Sequence, residues 1–184
     1  MSLEIESLAI PGVLALLPRV FGDERGFFME TWNQRVFDGA IGGHVAFVQD
    51  NQSRSEAGVL RGLHYQLDRP QGKLVRVTSG AIFDVAVDIR RGSPDYGRWV
   101  GCELSEANKR QLWIPPGFAH GFFVMSRFAD VLYKATEYYD APSDRSIAWD
   151  DADIGIEGPL AGVDPVVSEK DRNAVPLAQA EVYD

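Results

Sequence analysis

Two neighbouring stretches of this 184-residue chain hold residues of the types that could do chemistry. Val59-Leu60-Arg61-Gly62-Leu63-His64-Tyr65-Gln66 is followed closely by Gln71-Gly72-Lys73. An arginine, a histidine and a lysine thus fall within thirteen positions. The chain has three histidines, His44, His64 and His120. An imidazole titrates near neutrality and can act as a base. A fixed cation nearby can stabilise an enolate oxygen, and an arginine can hold an anion. Together they point to proton chemistry beside a carbonyl, on a substrate that carries negative charge. Arg61 and His64 are three apart, so a regular strand would turn them to opposite faces. Gly62 between them can host a bulge that brings both to one side. Lys73 opens a strand, where a lysine either points to solvent or turns inward towards such an oxygen.

A second group lies further along. Trp113-Ile114-Pro115-Pro116-Gly117-Phe118-Ala119-His120-Gly121-Phe122 contains a Pro-x-Gly-x-x-His run. It resembles the second motif of cupins, which are double-sheet jelly rolls. The first cupin motif supplies a His-x-His pair to a metal, whereas here the matching place reads His64-Tyr65-Gln66. A catalytic divalent site commonly takes three or more protein ligands, so the missing histidine argues against a required metal. Tyr133, in Val131-Leu132-Tyr133-Lys134-Ala135, is either a packing aromatic or a phenol aimed at a cavity as proton donor. Tyr138 and Tyr139 could stack on a flat ring. Arg25 can pair with Asp23 or Glu24 or clamp a phosphate, and Asp171 reads as solvated charge in a polar tail.

The elements that must position these residues are mostly strands. Leu8 to Pro18 reads as a strand pair broken at Pro11-Gly12, and Phe27 to Trp32 as a strand. Asn33 to Ala40 reads as a short helix capped by Asn33. Val45 to Ser53, Leu74 to Thr78 and Ile82 to Ile89 follow as strands, the last with Phe83, Val85, Val87 and Ile89 on one face. Trp99 to Leu104, Leu112 to Ile114, Gly121 to Met125 and Val131 to Thr136 complete the set. The 18 glycines and 10 prolines punctuate it at short intervals. Many short strands with close turns indicate an all-β sandwich or barrel. Prolines 159, 165 and 176 disfavour a long helix near the end.

The totals exclude several classes. One domain, residues 1–184, is the reading that the length favours. A net charge of -9 argues against a nucleic-acid binder, which needs a basic face. A phosphorylated small molecule remains compatible, held by a local arginine cluster. A single cysteine, Cys102, allows no internal disulfide and fits a reducing compartment. No apolar run approaches the ~20 residues of a membrane span, and the acidic start lacks signal-peptide character. A cytoplasmic location follows.

Taken together the motifs resemble the dTDP-4-dehydrorhamnose 3,5-epimerase family, from about Val20 to Asp171. The strongest segments are Phe21 to Phe28, Phe47 to Asn51, Val59 to Gln66, Gln71 to Arg76, Phe83 to Arg90 and Leu112 to Phe122. The resemblance implies a homodimeric cupin-type jelly roll with a few short helices, working without metal or cofactor on a dTDP-4-keto-6-deoxyhexose. It implies His64 as base, Asp171 as its orienting carboxylate, Tyr133 as proton donor and Lys73 on the C4 oxygen. His120 would contact the sugar. Arg25, Glu30, Gln49, Asp50, Asn51, Arg61 and Lys170 would hold the nucleotide, Tyr139 would stack on the thymine, and strands would be exchanged between subunits. Asp144 stands where the family often has glutamate. The alternatives from the sequence are a single-centre epimerase of a related keto sugar, a metal-dependent cupin and a non-catalytic sugar-binding module.

Overall fold

In the computed structural model, residues 3–159 and 163–184 are described. The strands among them are β1 (Leu3–Ser7), β2 (Leu14–Pro18), β3 (Val20–Asp23), β4 (Gly26–Met29), β5 (Gln49–Glu56), β6 (Leu60–Gln66) and β7 (Lys73–Ser79). They continue with β8 (Ala81–Asp88), β9 (Trp99–Ser105), β10 (Gln111–Ile114), β11 (Phe118–Val124), β12 (Phe128–Ala135) and β13 (Asp144–Ser146). Two short helices, α1 (Gln34–Ile41) and α2 (Glu169–Arg172), stand beside them. A six-stranded sheet has the order β1-β2-β10-β7-β12-β5, and a five-stranded sheet the order β13-β6-β11-β8-β9. The hairpin β3-β4 pairs only with itself. This is the double-sheet jelly roll that the sequence indicated, with antiparallel pairing in both sheets.

Period-two alternation sorts the side chains into three apolar layers. Val75, Val77, Leu112, Ile114 and Val131 of the larger sheet meet Ile82, Ala86, Phe118 and Phe122 of the smaller one. The outer face of the smaller sheet carries Leu63, Val85, Val87 and Ile89, covered by Ile147, Ile154 and Leu177 from the C-terminal part. The face predicted from Phe83, Val85, Val87 and Ile89 is this one. The outer face of the larger sheet is covered by Phe37 of α1 together with Trp32. Strands covered on both sides read as continuous apolar runs, and every residue of β11 is buried.

Helix α1 forms as predicted. Asn33 caps it by accepting from the Val36 amide at 3.2 Å, and Gly42 ends it at φ +70°. Several strand boundaries differ from the sequence reading; β11 and β12 begin at Phe118 and Phe128 rather than at Gly121 and Val131. The first strand is Leu3–Ser7 rather than part of Leu8–Pro18, because an edge strand with an exposed face shows no apolar run. The strand after Phe27 ends at Met29. The strand expected at Val45–Ser53 is displaced to Gln49–Glu56, where polar residues line the space between the sheets. No helix among the described residues is long and apolar enough to cross a membrane.

Candidate active site

β6 shows two functional side chains on one face because it is bulged. His64 pairs with His120 and Arg61 with Phe122, so three steps on β6 match two on β11. Gly62 makes the irregularity possible. Its φ is +131°, and a Cβ there would lie 2.5 Å from the Gly121 Cα. His120 and Phe122 face the space between the sheets, and their cross-strand partners His64 and Arg61 therefore face it too. The predicted bulge is observed, and it does what the chemistry requires.

The His64 ring is completed from the far end of the chain. Ser168 caps α2 by accepting from the Asp171 amide at 3.1 Å, and this turn aims Asp171 at β6. His64 Nε2 lies 2.5 Å from Asp171 Oδ1. Asp171 is only 4% exposed, so the reading of a solvated tail carboxylate fails. Burial alone would raise its pKa. Hydrogen bonds from His64, Ser168 and the Gly62 amide outweigh that and hold it below the ordinary carboxylate range. An ionised Asp171 accepts a hydrogen bond from Nε2–H, which leaves Nδ1 as the nitrogen that can accept a proton.

Lys73 turns inward. Val75 and Val77 on the same strand belong to the inter-sheet core, and Lys73 shares their parity. As a whole residue it is half-buried. Burial pushes the amine down to about 8, against the attraction of Asp84 and Asp144, and Lys170 adds to the depression. Tyr133 lies on β12 between Val75 and Asn51, on the same inner face. Burial raises its phenol, so it stays protonated and can donate.

His120 is buried and its Nε2 lies 2.5 Å from Asp84 Oδ1. Burial lowers its pKa despite the Asp84 carboxylate, so the ring is neutral and donates Nε2–H to Asp84. The sequence reading assigned no role to Asp84. The available signal was a carboxylate between apolar Ile82 and Ala86 in the inner row of β8.

The remaining candidates divide into two groups. Tyr139 Oη donates to Asp144 Oδ2 at 3.1 Å and Lys170 Nζ at 2.6 Å, so Asp144, though shorter than a glutamate, ties these two together. Gln49 accepts from the Tyr139 amide at 2.9 Å and donates to Asn51 Oδ1 at 3.0 Å. The buried Asn51 Nδ2 is left without a partner among the described residues. Arg61 Nε donates to Ser55 at 2.9 Å. Asp50, between Gln49 and Asn51, is turned the other way by the pleat and pairs with Lys134 at 3.0 Å. Arg25 pairs with Asp23 at 2.5 Å on the free hairpin, and Glu30 accepts from Asn33 at 3.2 Å. Within one chain neither reaches His64.

The sequence model of the family described as dTDP-4-dehydrorhamnose 3,5-epimerase matches residues 7–179. The chain belongs to this epimerase family. A dTDP-4-dehydrorhamnose 3,5-epimerase of Pseudomonas aeruginosa is 57% identical over 176 residues, 96% of this chain and 97% of that one. The epimerase of Salmonella typhimurium is 58% identical over 173 residues, 94% of each chain. The epimerase of Legionella pneumophila, solved with dTDP-4-keto-L-rhamnose, superposes with a TM-score of 0.95 at 49% identity, over 98% of this chain and 95% of that one. An epimerase has to remove a proton from one face of a carbon and return one to the other. Here the two sheets face each other with different tools, His64 on the five-stranded sheet and Tyr133 on the six-stranded one.

Proposed function

We propose that this enzyme, as one domain of residues 1–184, inverts C3 and C5 of dTDP-4-dehydro-6-deoxy-D-glucose to give dTDP-4-dehydro-L-rhamnose. The C4 ketone acidifies the hydrogens on both neighbouring carbons, because either carbanion delocalises onto the same oxygen. Neutral His64 takes the proton at Nδ1, and Asp171 stabilises the imidazolium that forms. The Lys73 ammonium faces the developing enolate oxygen, and one such preorganised donor is worth about 3–4 kcal/mol of barrier. Tyr133 returns a proton from the opposite sheet. Arg61, Lys170, Asn51 and Gln49 hold the nucleotide end, with Tyr139 stacked on the base. That remote binding orients the sugar. The observation that carries this reading is the half-buried His64, paired with the buried Asp171, on the inner face opposite Lys73 and Tyr133.

The proposal includes a homodimer. The β3-β4 hairpin stands alone, with Phe27 and Phe28 58% and 63% exposed. An unpaired hairpin with exposed aromatics suits exchange with a second subunit. Exchange would carry Arg25 and Glu30 to the partner's nucleotide site. Light scattering that finds an active monomer refutes the exchange.

Solvent deuterium incorporation in D2O, read by NMR, tests the reaction. Label at C3 and C5, absent in His64→Ala, is the expected result. Label at one carbon makes the enzyme a single-centre epimerase, and label at neither refutes proton abstraction.

A further inference from the structure

Asp84 is a fully buried carboxylate that no step above uses. It sits on the inner row of β8, between apolar Ile82 and Ala86 of the core. Its Oδ1 takes the hydrogen bond from His120 Nε2 at 2.5 Å. Its Oδ2 is buried and has no hydrogen-bond partner among the described residues. A carboxylate left so in a core costs several kcal/mol unless a charge faces it. Lys73 stands on the inner row of the facing sheet, beyond direct ion-pair distance, and among the groups that act on it Asp84 attracts it most.

We infer that Asp84 is a positioning residue for the epimerisation. It ties His120 and Lys73 into one unit, fixing the ring of the first and supplying the counter-charge that keeps the second an ammonium. This rests on the enolate role of Lys73 proposed above. Two His–Asp pairs then stand side by side on β6 and β11 with separate tasks. Asp171 supports the base. Asp84 supports the oxyanion side, leaving the neutral His120 with Nδ1 free to accept from a sugar hydroxyl.

The titratable groups that act on Lys73 are Asp84 from β8, His120 from β11, Asp144 from β13 and Lys170 from α2, with Tyr133 of β12 on the same inner face and His64 of β6 beyond His120. Asp84 and Asp144 favour its charge and Lys170 opposes it. Loss of the strongest favourable charge makes the lysine easier to deprotonate.

The test is the pH profile of kcat/KM for epimerisation, followed in the wild type, Asp84→Asn, Asp84→Glu and His120→Asn. The wild-type alkaline limb is expected near pH 8, where Lys73 loses its proton. Asp84→Asn should move that limb to lower pH by about one unit, as removal of a close opposite charge does. Its activity at neutral pH should fall tenfold or more. Asp84→Glu should restore the limb. His120→Asn keeps the carboxylate, so its limb should stay in place while activity falls. A uniform loss in Asp84→Asn with the limb unmoved means that Asp84 only packs, and overturns the inference. If Asp84→Asn does not fold, the His120 arm decides. A limb that drops in His120→Asn shows that the ring, not the carboxylate, sustains Lys73, and the inference fails. A wild type whose activity ignores Lys73→Met fails differently, because it removes the enolate role itself.

Discussion

Replacing Lys73 with methionine should make the enzyme more stable and nearly inactive. Burial holds the amine at about 8 in the folded chain, against an ordinary 10.5. That gap of about 2.5 units, at ~1.4 kcal/mol per unit, makes the charged form cost about 3 kcal/mol near neutrality. Methionine fills a similar volume without a charge. That cost is already net of the attraction of Asp84 and Asp144, so after an imperfect packing fit of the methionine the net stabilisation is about 2 kcal/mol. For a chain of this size that raises Tm by about 4–8 °C at pH 7. The folded pKa lies below the unfolded one, so the unfolded state binds more protons between them and wild-type stability rises with pH across that window. The variant's advantage is therefore full below about pH 8 and fades towards 10.5. In the same preparation, loss of the enolate donor should reduce kcat by about 10²–10³-fold. Calorimetry at pH 7 and pH 10, beside a turnover assay, checks both halves. A variant that melts below the wild type at pH 7, or that keeps activity within tenfold, refutes the reasoning.

Further outcomes concern the base, the acid, the bulge and the hairpin. Asp171→Asn should leave the fold intact and lower kcat by about 10²–10⁴-fold, since the ring loses its orientation and its counter-charge, as single-turnover rates will report. Tyr133→Phe should still exchange deuterium from solvent, because the His64 imidazolium can swap the abstracted proton for solvent deuterium and return it to the same face. Inversion should fall by about 10²-fold or more, and the ratio of exchange to inversion in NMR spectra measures it. Gly62→Ala should cost about 2–4 kcal/mol in urea unfolding, combining a strained positive φ with a Cβ pressed onto Gly121. Arg25→Ala should raise KM about tenfold or more with kcat nearly kept, if the exchanged hairpin binds the nucleotide and takes no part in proton transfer.

The parts of the fold that the sequence disclosed were those where burial is one-sided and regular. Val85, Val87 and Ile89 alternate with small or polar neighbours, so their strand and its face could both be read. Asn33 declared its helix by cap chemistry. The edge strands β1 and β5 were shifted, because Leu3–Ser7 is mostly exposed and Gln49–Glu56 turns polar side chains into the site, and neither carries an apolar period. Within the site, His64, Lys73 and Tyr133 could be named from residue type and resemblance. The reach of Asp171 across 107 positions could not be computed from spacing, since only the tertiary fold brings α2 against β6. Asp50 points away from its two neighbours for a simple reason. A run of three polar residues on a strand cannot point one way, and the pleat sends the middle one outside. Asp84 escaped notice because a strand aspartate between apolar residues gives no hint of what faces it.

The bulge at Gly62 has a bearing on how this chain can change length. Side chains on a strand have only two phases, in or out, so one residue more or fewer acts as a parity switch. The bulge already holds one such extra residue, since Arg61 and His64 are an odd number of steps apart and still face the same way. Removing one residue between them would make the steps on β6 match those on β11, so the bulge would go and His64 would keep its face. Adding a residue there would instead turn over everything after it. Tyr65, now packed on the outer layer, would point into the inter-sheet space, and His64 would be driven among Val87 and Ile89. No rotamer change could undo that, so this segment can lose a residue in phase but cannot gain one.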